Sequence, residues 1–119
     1  MDELSESENS LALKTLVLNN SIKQKNNQIT DKALSSIAFS KYLINLTTLE
    51  LRNTDITPKG LKTLAVSMAV EKVETLRLSH CGKLDEEALH YIQKIAGYQS
   101  LKKLYLNDTA IKKEELQVF

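Results

Sequence analysis

The sequence has no tryptophan, one cysteine, one proline, three glycines and only six phenylalanines and tyrosines among 119 residues. With Cys81 alone, no intrachain disulfide can form. No run of eighteen apolar residues is present, so no membrane-spanning helix is expected. The opening segment MDELSESENS is acidic, where a secretory signal would be basic and then apolar. A reducing cytoplasm is the expected compartment, with export by a signal-less route left open. The sequons at Asn19, Asn45 and Asn107 are accordingly read as chance. Net charge is +1, which argues against a nucleic-acid or membrane partner recruited by bulk charge. The basic excess after residue 10 is scattered, with no basic run interleaved with aromatics.

What the sequence does have is leucine, twenty of them. Their placement is periodic. Four segments align without gaps: LKTLVLNNS from Leu13, LTTLELRNT from Leu46, VETLRLSHC from Val73 and LKKLYLNDT from Leu101. A second block follows each: ITDKAL from Ile29, ITPKGL from Ile56, LDEEAL from Leu84 and IKKEEL from Ile111. The starts are 33, 27 and 28 residues apart. The first interval is longer because Ile29 follows Leu18 by 11 residues, against 5, 6 and 5 in the later units. Removing the six extra residues restores 27, so the period is uniform.

The two blocks carry different periodicities. Leu-x-Leu alternates at period two, as a strand with one buried face requires. In the second blocks Leu34 with Ile37, Leu61 with Leu64, and Leu89 with Ile92 lie three apart, on one face of a helix. Thr30, Thr57 and Asp85 are placed to cap these helices. Pro58 falls at a first helical position, and Gly97 suits a helix C-terminus. No unit can bury its leucines alone; stacked, the units form one core beneath a parallel sheet.

On these blocks the chain resembles leucine-rich-repeat proteins, in particular the ribonuclease-inhibitor-like and cysteine-containing subfamilies, the latter through Ile-Thr-Asp-x-x-Leu at residues 29–34. The resemblance covers about residues 13–116. It implies an α/β fold: a right-handed solenoid of four strand–helix units starting at 13, 46, 73 and 101. The parallel sheet would be concave and the helices convex. Residues 1–12 are expected to be an acidic flexible segment and 13–119 the repeat domain. The family's Asn or Cys at the ninth position of the strand block is here Ser21, Thr54, Cys81 and Thr109, and Lys112 replaces the capping residue of the last unit.

Chemistry is sparse. His80, Cys81 and Asp108 form the one suggestive set, with Asp108 one repeat after His80. Cys81, however, occupies the inward ninth position, where a thiol behaves as a small hydrophobe. No glycine-rich turn offers an oxyanion site. Two histidines and one thiol fall short of metal-ligand spacing, so no catalytic residue, metal or cofactor is expected. His90, beside Leu89 on a helix, reads as a surface residue.

The intervening strand residues project from the exposed sheet face in columns: Thr15, Thr48, Thr75, Lys103; Val17, Glu50, Arg77, Tyr105; Asn19, Arg52, Ser79, Asn107; and, at the rim, Asn20, Asn53, His80, Asp108. Glu50 and Arg77 could merely pair across strands. Arg77 and Tyr105 are also residue types favoured at binding hot spots. The expected function is a non-catalytic module binding a protein through Glu50, Arg52, Arg77, Tyr105, His80 and Asp108, with Lys23 and Lys25 of the 21–28 insertion adding contact. A face about 14 Å by 17 Å is small against the roughly 800 Å² per partner of a standard interface. Alternatives are a fragment of a longer array, self-association through the edge of the last strand, or, through the resemblance, an effector or ubiquitin-ligase substrate receptor.

Overall fold

A computed structural model of the chain describes residues 11–19 and 29–112. Four strands, β1 (Thr15–Val17), β2 (Thr48–Glu50), β3 (Thr75–Arg77) and β4 (Lys103–Tyr105), form one parallel sheet in chain order. Register joins Thr15, Thr48, Thr75 and Lys103 in one row and Val17, Glu50, Arg77 and Tyr105 in another, with the leucines 16, 49, 76 and 104 between them. The two strand columns of the repeat alignment are thus the rows of the sheet. Backbone pairing runs on past the strands. Leu51 N donates to Arg77 O at 2.8 Å, Asn53 N to Ser79 O at 2.9 Å and His80 N to Asn107 O at 2.9 Å.

Neighbouring parallel strands need a crossover. Helices α1 (Asp31–Ala38), α2 (Pro58–Ala65) and α3 (Glu86–Ala96) supply it, with a 3₁₀ turn at Met68–Val70. Thr30 caps α1 by accepting from Lys32 N, and Asp85 caps α3 by accepting from Glu87 N at 3.0 Å. Pro58 opens α2 as expected, but Thr57 does not cap its own helix. Its hydroxyl is turned instead to Asp31 of the preceding repeat, whose carboxylate accepts from Thr57 N at 2.8 Å and from Thr57 Oγ1 at 2.5 Å. Gly97 does close α3, but in right-handed conformation (φ −63°). The left-handed residue of that turn is Gln99 (φ 69°).

The helix faces read from the sequence are the ones buried: Leu34 and Ile37, Leu61 and Leu64, Leu89 and Ile92. They join Leu16, Leu49, Leu51, Leu76 and Leu78 in a single core. Each fully buried leucine contributes on the order of 1.5–3 kcal/mol. The sheet edge at β4 is less covered, with Leu104 only half-buried where Leu16, Leu49 and Leu76 are 5% exposed or less. Residues 1–10 of the expected flexible segment 1–12, Asn20, the insertion 21–28 with Lys23 and Lys25, and residues 113–119, where the repeat pattern predicts the fourth helix, lie outside the described residues.

Candidate functional site

Alternation puts the leucines of each strand inward, so residues 15 and 17 and their counterparts occupy the opposite face. At its centre the Arg77 guanidinium carbon lies 4.2 Å from the centroid of the Tyr105 ring, one strand across. This is cation–π geometry. Glu50, the register neighbour on the other side, forms no ion pair with Arg77. Among the described residues the ion pairs are Lys83–Asp55 at 2.9 Å and Lys102–Glu74 at 3.1 Å, and His80 Nδ1 lies 3.0 Å from Asp108 Oδ2, a pair that is ionic only when the imidazole is protonated. Arg77 Nε is buried and has no acceptor. Of the two readings of this row, the cross-strand Glu50–Arg77 pair is not formed, and the guanidinium stacks on the Tyr105 ring.

The next column is partly structural. Asn19 Oδ1 accepts from Arg52 N, and Asn107 Oδ1 accepts from Ser79 Oγ, each at 2.7 Å. Ser79, expected on the exposed face, is 3% exposed and thus buried in that bond. Arg52 remains half-buried beside it.

At the rim Asn53, His80 and Asp108 all have positive φ: 54°, 63° and 59°. Asn, Asp and His are the non-glycine residues most enriched there. Backbone geometry thus accounts for residue types that read as binding candidates in the sequence. The recurrence of Asn, His and Asp at one column was the signal that could have shown it. His80 and Asp108 are indeed neighbours, exposed and joined through Nδ1 and Oδ2.

One residue on, the ninth-position side chains turn inward and bond backbone. Thr54 Oγ1 donates to Leu51 O at 2.9 Å, and Thr109 Oγ1 to Leu106 O at 2.8 Å. Cys81, fully buried, donates its thiol to Leu51 O at 2.8 Å. The thiol and the His80 imidazole therefore serve different partners on opposite sides of the chain. Among the described residues no three His, Cys, Asp or Glu side chains are grouped to hold a metal.

Two further surfaces were not marked by the repeat alignment. A shallow cavity of about 360 Å³ at the N-terminal ends of the strands is lined by Thr47, Lys72, Glu74, Ser100 and Lys102. Its polar groups are satisfied internally: Lys102 by Glu74, Lys72 by Asn45, Ser100 by Glu71 O and Thr47 by Lys14 O. Phe39 and Val66, which close α1 and α2, are 79% and 71% exposed, with Met68 at 60% nearby in sequence. Tyr98 reaches the same helix ends, its hydroxyl donating to Ala65 O at 3.1 Å.

Among protein families, the model described as Leucine Rich repeat matches residues 42–65, which include β2 and α2. The match supports a leucine-rich-repeat protein. No curated protein matches the chain. Domains of this family commonly mediate protein–protein interaction and are generally non-enzymatic. Among the described residues no helix is long and apolar enough to cross a membrane.

Proposed function

We propose that this leucine-rich-repeat chain is a non-catalytic module that binds a protein partner through its exposed sheet face. The observation that carries the reading is the Arg77–Tyr105 stack. A guanidinium is held over an aromatic ring, its buried Nε without an acceptor, on the sheet face opposite the core leucines. Holding the pair in one geometry lowers the ordering cost that a flexible arginine would otherwise impose on binding. Arg52 and Glu50 flank the stack, and His80 with Asp108 extends the surface to the rim.

The wider architecture supports this reading. A parallel strand–helix–strand connection is right-handed in nearly all proteins. Four such units at a period of 27–28 residues would wind as a right-handed solenoid with a concave sheet and convex helices, as in the ribonuclease-inhibitor-like subfamily. The face is small, so the 21–28 insertion with Lys23 and Lys25 is assigned a supplementary contact. A single buried thiol suits a reducing cytoplasm. No nucleic-acid or membrane partner and no cofactor is part of the reading.

Crosslinking mass spectrometry and pull-down from the native cell, with Arg77→Glu and Tyr105→Ala, test it. Loss of the same partner in both variants is expected. Unchanged recovery in both removes the sheet face. A second reading, self-association through the β4 edge, is supported by half-exposed Leu104 and the unpaired outer side of β4 among the described residues. Light scattering that finds only monomer at high concentration rules it out.

A further inference from the structure

We propose that the sheet face recognises an extended acidic segment whose carboxylates fall on alternate residues, an inference that rests on the face being the partner-binding surface. The argument begins with register. Glu50 pairs with Arg77, so Arg52, two residues further along its chain, lies one pleat beyond Arg77. Arg77 pairs with Tyr105, so Lys103 lies one pleat before it. Continued backbone pairing, Leu51 N to Arg77 O and Asn53 N to Ser79 O, keeps Arg52 in this frame. Arg52, Arg77 and Lys103 therefore form a diagonal across the sheet face, with Lys103 on β4, Arg77 on β3 and Arg52 two residues past the end of β2.

The spacing of that diagonal follows from sheet geometry. Strands lie about 4.8 Å apart and rise about 3.3 Å per residue, so successive cations are about 8 Å apart. Alternate side chains of an extended peptide recur on one face about every 6.6 Å. The long arginine, lysine and glutamate side chains absorb a difference of that size.

Charge fits the same occupant. Glu74 and Asp55 are paired with Lys102 and Lys83, and Asp108, at the rim, is bonded to His80 Nδ1. None of the diagonal cations has an ion-pair partner among the described residues, and Glu50 is the one unpaired carboxylate in their midst. Three cations against one carboxylate leave an excess of positive charge. The Tyr105 ring fixes the Arg77 plane, as two-point recognition of a carboxylate requires. Glu50 is an opposing charge, whose removal would strengthen binding.

The test is fluorescence anisotropy on the full chain with a labelled Ser-Glu-Ser-Glu-Ser-Glu-Ser peptide at low and moderate salt. Saturable binding is expected, weakened about tenfold or more when glutamine replaces glutamate in the peptide. Arg77→Gln and Lys103→Gln should each weaken it about fivefold, and Glu50→Gln should tighten it about threefold. The gain from Glu50→Gln cannot come from a misfolded protein. Equal binding of the Glu and Gln peptides, or indifference to Arg77→Gln, overturns the inference. So does an oligouridylate of matched charge that binds equally well with the same sensitivities, which would mark a general polyanion surface. If the peptide fails while partner crosslinks still depend on Arg77 and Tyr105, the acidic-segment inference falls and the binding face stands. If both fail, the face itself is excluded.

Discussion

Cys81 Sγ donates to the carbonyl oxygen of Leu51, 2.8 Å away and one repeat earlier. Thr54 Oγ1 reaches the same oxygen from within its own repeat and lies 3.2 Å from the sulfur. The carbonyl that turns inward where β2 ends thus has a donor from each side of the repeat boundary. Such a carbonyl, buried and left unpaired, would cost about 1–3 kcal/mol.

From this burial follows a prediction about reactivity. The thiol should be inert to Ellman's reagent in the native protein and react fully in denaturant. Cys81→Ala should cost about 1–2 kcal/mol in urea denaturation, since it removes a donor and leaves a small void. Cys81→Ser keeps a donor and should cost less. Rapid native-state labelling would contradict the buried position.

Gly60 and Asp31 should be energetically coupled. A Cβ on Gly60 would collide with Asp31 Oδ1 and stand 2.9 Å from Leu34 Cδ1, so the carboxylate that bonds Thr57 would have to move. Gly60→Ala is expected to destabilise by about 1–3 kcal/mol, despite alanine's better helix propensity. With Asp31→Ala already in place, the same change should cost clearly less. Strict additivity in a double-mutant cycle would show that the junction is not shared.

The rim column gives a stability test free of any partner. At φ 63°, His80→Asn should be within about 0.5 kcal/mol of the parent, whereas His80→Val should lose about 1–2 kcal/mol. The exposed His80–Asp108 pair contributes little to either number. Equal stabilities for the two variants would refute a backbone explanation of this column.

For the central stack, urea denaturation of Arg77→Ala, Tyr105→Ala and the double variant should give a coupling of about 0.5–1 kcal/mol. Tyr105→Phe should retain most of it, because the ring face and not the hydroxyl meets the guanidinium. A coupling near zero would make the 4.2 Å approach incidental.

Much of the fold was legible because two motif blocks repeat in phase. Leucines at period two gave the strands and their register, and leucines at helical spacing gave the buried helix faces. What was not legible depends on three-dimensional competition. Thr57 looks like Thr30 in sequence, yet Asp31 from the previous turn of the chain claims its hydroxyl. Glu50 and Arg77 look like a cross-strand pair until the Tyr105 ring is placed on the other side. Ser79 and the rim residues occupy exposed-looking columns, but one is buried in a side-chain bond and the others meet a backbone requirement. Phe39 and Val66 escaped notice because a residue just past a helix is outside both periodicities.

The hydrogen bonds between successive repeats join residues roughly one repeat apart, as with Arg52 N to Asn19 Oδ1 at a separation of 33 and Ser79 Oγ to Asn107 Oδ1 at 28. With each unit fastened to the next in line, tension applied at the two chain ends would act first on the outermost unit. The array would then peel like a row of stitches, lengthening in steps of one repeat rather than giving way all at once.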